Sequence, residues 1–180
     1  MLNQETCTLI MARPNLNMPE DWASQARFRF FAPGDEALWA QLGMEAGVFQ
    51  DEAQAQKAFN STFWFDRPLL DRRMVFMLDE KDREIATMTA WFDGGQGALK
   101  WLMTRPGLPV QEVHYQLAGR GLELLKQLDY TDACLNLCEP NEQAVRGYLR
   151  LGFFPLMCGS AEEKRQWDAL WGKADAETGV

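Results

Sequence analysis

Apolar residues recur along this chain in two periods, and the periods change at turn-forming residues. Val110, Val113, Leu117, Gly121, Leu124 and Leu128 step by three and four, which puts them on one face of a helix running from Pro109 to Leu128. Arg27-Phe28-Arg29-Phe30 alternates, the period of a half-buried strand over 26–31. Leu38, Trp39, Leu42 and Ala46 predict a helix entered through the turn Pro33-Gly34-Asp35-Glu36, with Asp35 as its cap. After the break at Gly47–Gln50, Ala55, Ala58, Phe59, Thr62 and Phe63 predict a second helix, opened by Asp51 and ended by Asp66-Arg67-Pro68.

Three antiparallel strands are expected next, over 73–78, 84–92 and 98–104, joined by the polar turn Asp79–Arg83 and the glycine turn Asp93–Gly97. Beyond the long helix, 133–138 alternates as a strand. Pro140 suits a first helical position and Gly152 a left-handed helix stop, so a short helix lies between them, with Ala144, Val145, Tyr148 and Leu149 on one face. A strand over 153–158 and a docked helix over 161–172, carrying Trp167 and Trp171, complete the pattern. Residues 1–25 read as an N-terminal arm with a short strand at Thr8–Met11 and the proline-marked stretch Arg13–Pro19. Residues 26–172 form one domain and 173–180 a frayed tail.

Composition narrows the function classes. A chain of 180 residues, 47% apolar and 12% aromatic, suits one packed domain and excludes general disorder. Twenty-six acidic against eighteen basic residues give a net charge of −8, which argues against a nucleic-acid backbone binder and suits a cationic, amine-bearing substrate. Cys7, Cys134, Cys138 and Cys158 lack metal-ligand spacing, and with one histidine in the chain no zinc site is expected. Cys134 and Cys138 lie too far apart along one strand to bridge each other, and the cysteines read as apolar fillers. No secretory leader or membrane-length apolar run is seen, so a cytoplasmic, reduced protein without a membrane partner is expected.

The run Asn141-x-x-Ala144-x-x-x-Tyr148-x-x-x-Gly152-Phe153 resembles the closing motif of the GNAT superfamily of N-acetyltransferases. The order strand, helix, helix, three strands, helix, strand, helix, strand is that of the GNAT fold: α/β, with a mixed, mostly antiparallel sheet flanked by helices. Arg13-Pro-Asn-Leu16, Pro33-Gly-Asp-Glu-x-x-Trp39 and Ile85-Ala-Thr-Met-Thr-Ala-Trp91 also look like single-domain bacterial members.

The resemblance implies transfer of an acetyl group from acetyl-CoA to a small-molecule or peptide amine, and it leaves a homodimer open. It implies that the backbone of Leu102, Met103 and Thr104 lines the pantetheine arm and the oxyanion, and that Tyr148 protonates the departing thiolate. Asn141 lies near the pantetheine; as a residue at a helix start it reads equally as a cap. The family's glycine-rich pyrophosphate loop falls on Pro109-Val110-Gln111-Glu112-Val113-His114, where none of its glycines is present. Pro109 offers no N–H, Val110 and Val113 add bulk, and Glu112 adds negative charge. Arg105 and Gln111 are the residues that would compensate there. The alternative is a GNAT-fold binding or regulatory protein that has lost the pyrophosphate site and is not catalytic. Glu139 is the candidate base, with solvation as its plain reading. His114 reads as a packed or partly exposed residue of the long helix. Phe49, Trp64 and Phe65 read either as walls of an acceptor pocket or as core aromatics.

Overall fold

The structure, a computed structural model, describes residues 9–137, 141–157 and 159–177, with side chains described through 170. The strands are β1 (Leu9–Arg13), β2 (Arg27–Phe30), β3 (Met74–Leu78), β4 (Glu84–Asp93), β5 (Gln96–Thr104), β6 (Ala133–Leu137) and β7 (Phe154–Leu156). The helices are α1 (Glu36–Glu45), α2 (Glu52–Phe63), α3 (Val110–Gln127), α4 (Glu142–Arg150) and α5 (Ala161–Glu177), with a 3-10 turn at Arg67–Arg72. The strands make one seven-stranded sheet in the order β2-β3-β4-β5-β6-β1-β7. Among the described residues its pairings are antiparallel except for β5 with β6, which is parallel. The fold is therefore α/β with a mixed, mostly antiparallel sheet flanked by helices.

Each face of the sheet carries its own core. Leu99, Leu135 and Leu137 bury against Val113, Leu117, Leu124 and Tyr148, with Trp167 of α5 in the same cluster. On the other face, Trp39 of α1 and Phe59 and Phe63 of α2 meet Phe76, Trp91 and Met103. Alternation along the strands divides the residues between the two clusters, so the period-two reading translates directly into two layers. Helix α3 lies close on the sheet because Gly121 has no side chain: a Cβ there would meet Leu99 and Met88 within 3 Å.

Several expectations change. The short strand read near the N-terminus is an interior strand, because β1 pairs with β6 over Leu9↔Leu137 to Arg13↔Ala133 and with β7 over Ile10↔Leu156 to Ala12↔Phe154. Arg13 then ties the following residues down, donating to the carbonyls of Asn15 and Asn17. Further along, Trp22 packs over Gly119 and donates from Nε1 to Glu123 at 2.9 Å. The segment 14–25 thus crosses the outer face of α3. Asp35 stands at the N-cap of α1 without a side-chain capping bond; its carboxylate instead accepts from the Ala32 N–H and pairs with Arg29. Helix α5 runs through Lys173 to Glu177, a stretch without glycine or proline.

Candidate active site

Among the described residues, the parallel register between β5 and β6 covers Ala98↔Cys134 and Leu99↔Leu135. Strand β5 continues to Thr104 and β6 to Leu137, so the two strands run on past their last registered pair. On its other side β5 is bulged. Thr89 pairs with Lys100 and Thr87 with Met103, which sets Trp101 and Leu102 against the single residue Met88. Trp101 takes a left-handed φ of 57°, unusual for a bulky side chain. The extra residue shifts the alternation: Trp101 joins Trp39, at 5.2 Å between ring centroids, and Phe49, at 5.7 Å, while Leu102 turns to the α3 side. Met103 is buried and Thr104 half-buried. The three residues expected to offer main-chain groups therefore lie along an interrupted strand edge.

At the start of α3, Pro109 occupies the N-cap position and supplies no capping side chain. The Val110, Gln111 and Glu112 amides precede the first intrahelical bond, which Val113 N–H makes to the Pro109 carbonyl. Such amides suit an anion. Their surroundings suit it less. A Cβ on Gly147 of α4 would lie 2.7 Å from the Gln111 carbonyl oxygen and 3.1 Å from the Tyr115 nitrogen, so α4 rests directly on this turn. Glu112 pairs with Arg150 of α4 at 3.3 Å, and the Arg150 guanidinium lies 3.8 Å from the Tyr115 ring centroid. Arg105 is drawn toward Glu45 of α1, its Nε 3.2 Å from the carboxylate but out of hydrogen-bond alignment.

Asn141 caps α4, its side-chain oxygen accepting from the Gln143 and Ala144 amides. Tyr148, two turns further, is 3% exposed and packs near Phe153. Its hydroxyl lies 2.6 Å from Nδ1 of His114 on α3. Burial pushes the Tyr148 hydroxyl well above its ordinary pKa and lowers His114 to about 4. A phenol near pKa 10 is already a weaker acid than a thiol near 8.5, so giving a proton to a thiolate is uphill for tyrosine, and burial steepens it. The sequence pattern offered one signal for this pair: Val110, His114, Leu117 and Gly121 are spaced by four, three and four, which aligns the histidine with the buried stripe.

Glu139, the candidate base, lies outside the described residues, as do Cys7, Cys138 and Cys158. Cys134 is half-buried, its thiol pushed up by burial and by Asp93. The three aromatics considered for an acceptor wall separate. Phe49 is buried against Trp39, whereas Trp64 is 63% and Phe65 90% exposed, because α2 ends at Phe63 and the chain turns outward. A concavity of about 460 Å³ beside Trp64 is lined by Glu36, Gln56, Phe59, Asn60 and Arg67, on the α1–α2 surface. Among the described residues, no His, Cys, Asp and Glu cluster has the makings of a metal site, and no helix is long and apolar enough to cross a membrane.

No protein-family model and no curated protein matches the chain. Solved structures do. A GCN5-related N-acetyltransferase from Sphaerobacter thermophilus is similar over 82% of this chain and 48% of that one, at 17% identity and a TM-score of 0.63. A GNAT-family acetyltransferase from Colwellia psychrerythraea is similar over 82% and 52%, at 10% identity and a TM-score of 0.59. A GCN5-related N-acetyltransferase from Kribbella flavida is similar over 82% and 53%, at 19% identity and a TM-score of 0.53. The chain spans about half the length of these structures. At such identities the likeness establishes the fold, which is that of the GNAT superfamily.

Proposed function

We propose that the protein is an N-acetyltransferase that moves an acetyl group from acetyl-CoA to a small-molecule or peptide amine. The observation carrying this reading is the interrupted β5–β6 edge: the parallel register stops at Leu99↔Leu135 while β5 runs on, bulged, through Leu102, Met103 and Thr104. Among the described residues Leu102, Met103 and Thr104 have no partner on β6, and main-chain groups open on that side suit a thioester carbonyl that gains negative charge during attack. Tyr148 is the side chain proposed to meet the reacting groups, and Asn141 holds the first turn of α4 that presents it. Acetyl-CoA supplies the activated acyl group; the chain supplies the cradle, the orientation and the exclusion of water.

The fit to acetyl-CoA is uneven. The strand edge suits the pantetheine arm. The first turn of α3 suits the pyrophosphate less, since Gly147 rests on it and Glu112 adds negative charge there. Arg105 and Gln111 are the side chains proposed to compensate, with Val110 contributing its amide. This same closure favours a second reading, a GNAT-fold binding or regulatory protein without catalysis. Calorimetry with acetyl-CoA separates the two: the enzyme reading expects saturable binding below millimolar, and no heat at millimolar concentration supports the second reading.

A further inference from the structure

We propose that His114 is a positioning residue whose Nδ1 accepts a hydrogen bond from the Tyr148 hydroxyl, so that Tyr148 presents its oxygen as a hydrogen-bond acceptor to the N–H of the attacking amine. The inference rests on the acetyltransferase reading and assigns that site a feature of this chain's own, its single histidine.

The 2.6 Å separation of Tyr148 Oη and His114 Nδ1 admits one proton between them. Either the hydroxyl donates to a bare Nδ1, or an Nδ1–H donates to the oxygen and the hydroxyl proton points elsewhere. Tyr148 is 3% exposed, and among the described residues His114 Nδ1 is the hydrogen-bond partner of its hydroxyl. The second arrangement would leave that donor without an acceptor in a buried place, which is costly. The first satisfies it. Burial also keeps the imidazole neutral, and the first arrangement then puts its own proton on Nε2.

The pair is held from both sides. Gly147 seats α4 on the Gln111 carbonyl, and Arg150 reaches back to Glu112 and the Tyr115 ring. The His114 and Tyr148 rings meet edge to face at 5.6 Å between centroids. With the helices fixed in this register, the hydroxyl stays within reach of Nδ1. A lone pair on the oxygen then stays free to accept from the amine N–H. A neutral amine has N–H groups to give and one lone pair with which to attack, so an acceptor oxygen orients the nucleophile without consuming that lone pair.

The test combines two substitutions with a spectroscopic measurement on the intact chain. His114→Leu removes the acceptor, whereas His114→Asn restores an oxygen near the Nδ1 position. His114→Leu is expected to lower kcat/KM for the amine roughly tenfold to a hundredfold, the scale of a misplaced reacting group, with KM for acetyl-CoA unchanged. His114→Asn should recover most of the loss. Nitrogen NMR of the lone histidine should show a non-protonated Nδ1 at neutral pH. A protonated Nδ1, or a His114→Leu variant that turns over like wild type while binding acetyl-CoA, overturns the role alone. Absence of acetyl-CoA binding in the wild type overturns the enzyme reading and the role with it.

Discussion

Gly147 of α4 stands against the main-chain carbonyl of Gln111 in the first turn of α3, with room for a hydrogen but not for a methyl group. This one contact decides how closely two helices approach at the place where a phosphate-binding turn was expected.

Gly147→Ala tests the contact through its sign. In an exposed helix interior, glycine to alanine stabilises by about 1 kcal/mol. Here the added Cβ would lie 2.7 Å from a backbone oxygen and 3.1 Å from a backbone nitrogen, neither at the end of a flexible side chain. The expected result is a net loss of about 1–3 kcal/mol, the range for overpacking. Urea denaturation would check it, and a stabilised variant would mean that the helices stand further apart.

Trp101→Gly and Trp101→Ala together test the bulge. Both lose the contacts with Trp39 and Phe49. Glycine normally does worse than alanine inside an element by about 0.5–1 kcal/mol. At a φ of 57° alanine retains the strain that glycine relieves, so the glycine variant should be at least as stable as the alanine variant. Paired thermal melts would show the order.

Tyr148→Phe removes the hydroxyl and little else. Turnover is expected to fall by roughly tenfold or more, the scale of losing a positioned group, while acetyl-CoA affinity in calorimetry stays the same. The variant should also raise the pKa of His114, because an imidazole relieved of a donor at Nδ1 accepts a proton more readily. An unchanged rate would remove Tyr148 from the reaction.

His114 also makes stability depend on pH in a defined window. Its pKa is lowered from 6.5 to about 4, so the folded chain favours the neutral ring. Between those values the unfolded chain binds the proton more readily, and stability falls as pH drops from about 6.5 to about 4, by roughly 3 kcal/mol if the full shift is expressed. Above 6.5 the contribution is fully present. Burial would raise the Asp35 carboxyl, but its bonds to Arg29 and the Ala32 N–H hold it low, so its contribution is lost at more acid pH. The urea midpoint of His114→Asn, followed from pH 7.5 to 4.5, should be flatter than that of the wild type.

Local pattern carried most of the element order. The three-and-four spacing over Val110–Leu128 became α3, and Asp51 and Asn141 cap α2 and α4 as helix-start chemistry predicts. These features depend on neighbours within a few residues, where periodicity and capping act. The interior place of β1 was not legible, because its partners Ala133–Leu137 lie more than a hundred residues away and alternation does not name a partner. Nor was the turn of Trp101 toward Trp39, since a bulge breaks the alternation from which a face would be read.

The candidate site divides along the same line. The sequence by itself determined the materials: a tyrosine on an apolar face of α4, a histidine in line with the buried stripe of α3, a stretch Pro109–His114 without glycine at the start of α3, and a chain order that yields a mixed sheet. Tertiary structure alone decided that the Tyr148 hydroxyl lies within hydrogen-bond distance of His114 Nδ1, that Gly147 packs α4 against α3, and that among the described residues β5 and β6 lose register beyond Leu99 and Leu135. Each of these depends on how two elements approach across space. That distance is set by packing of the whole core, and no local period encodes it.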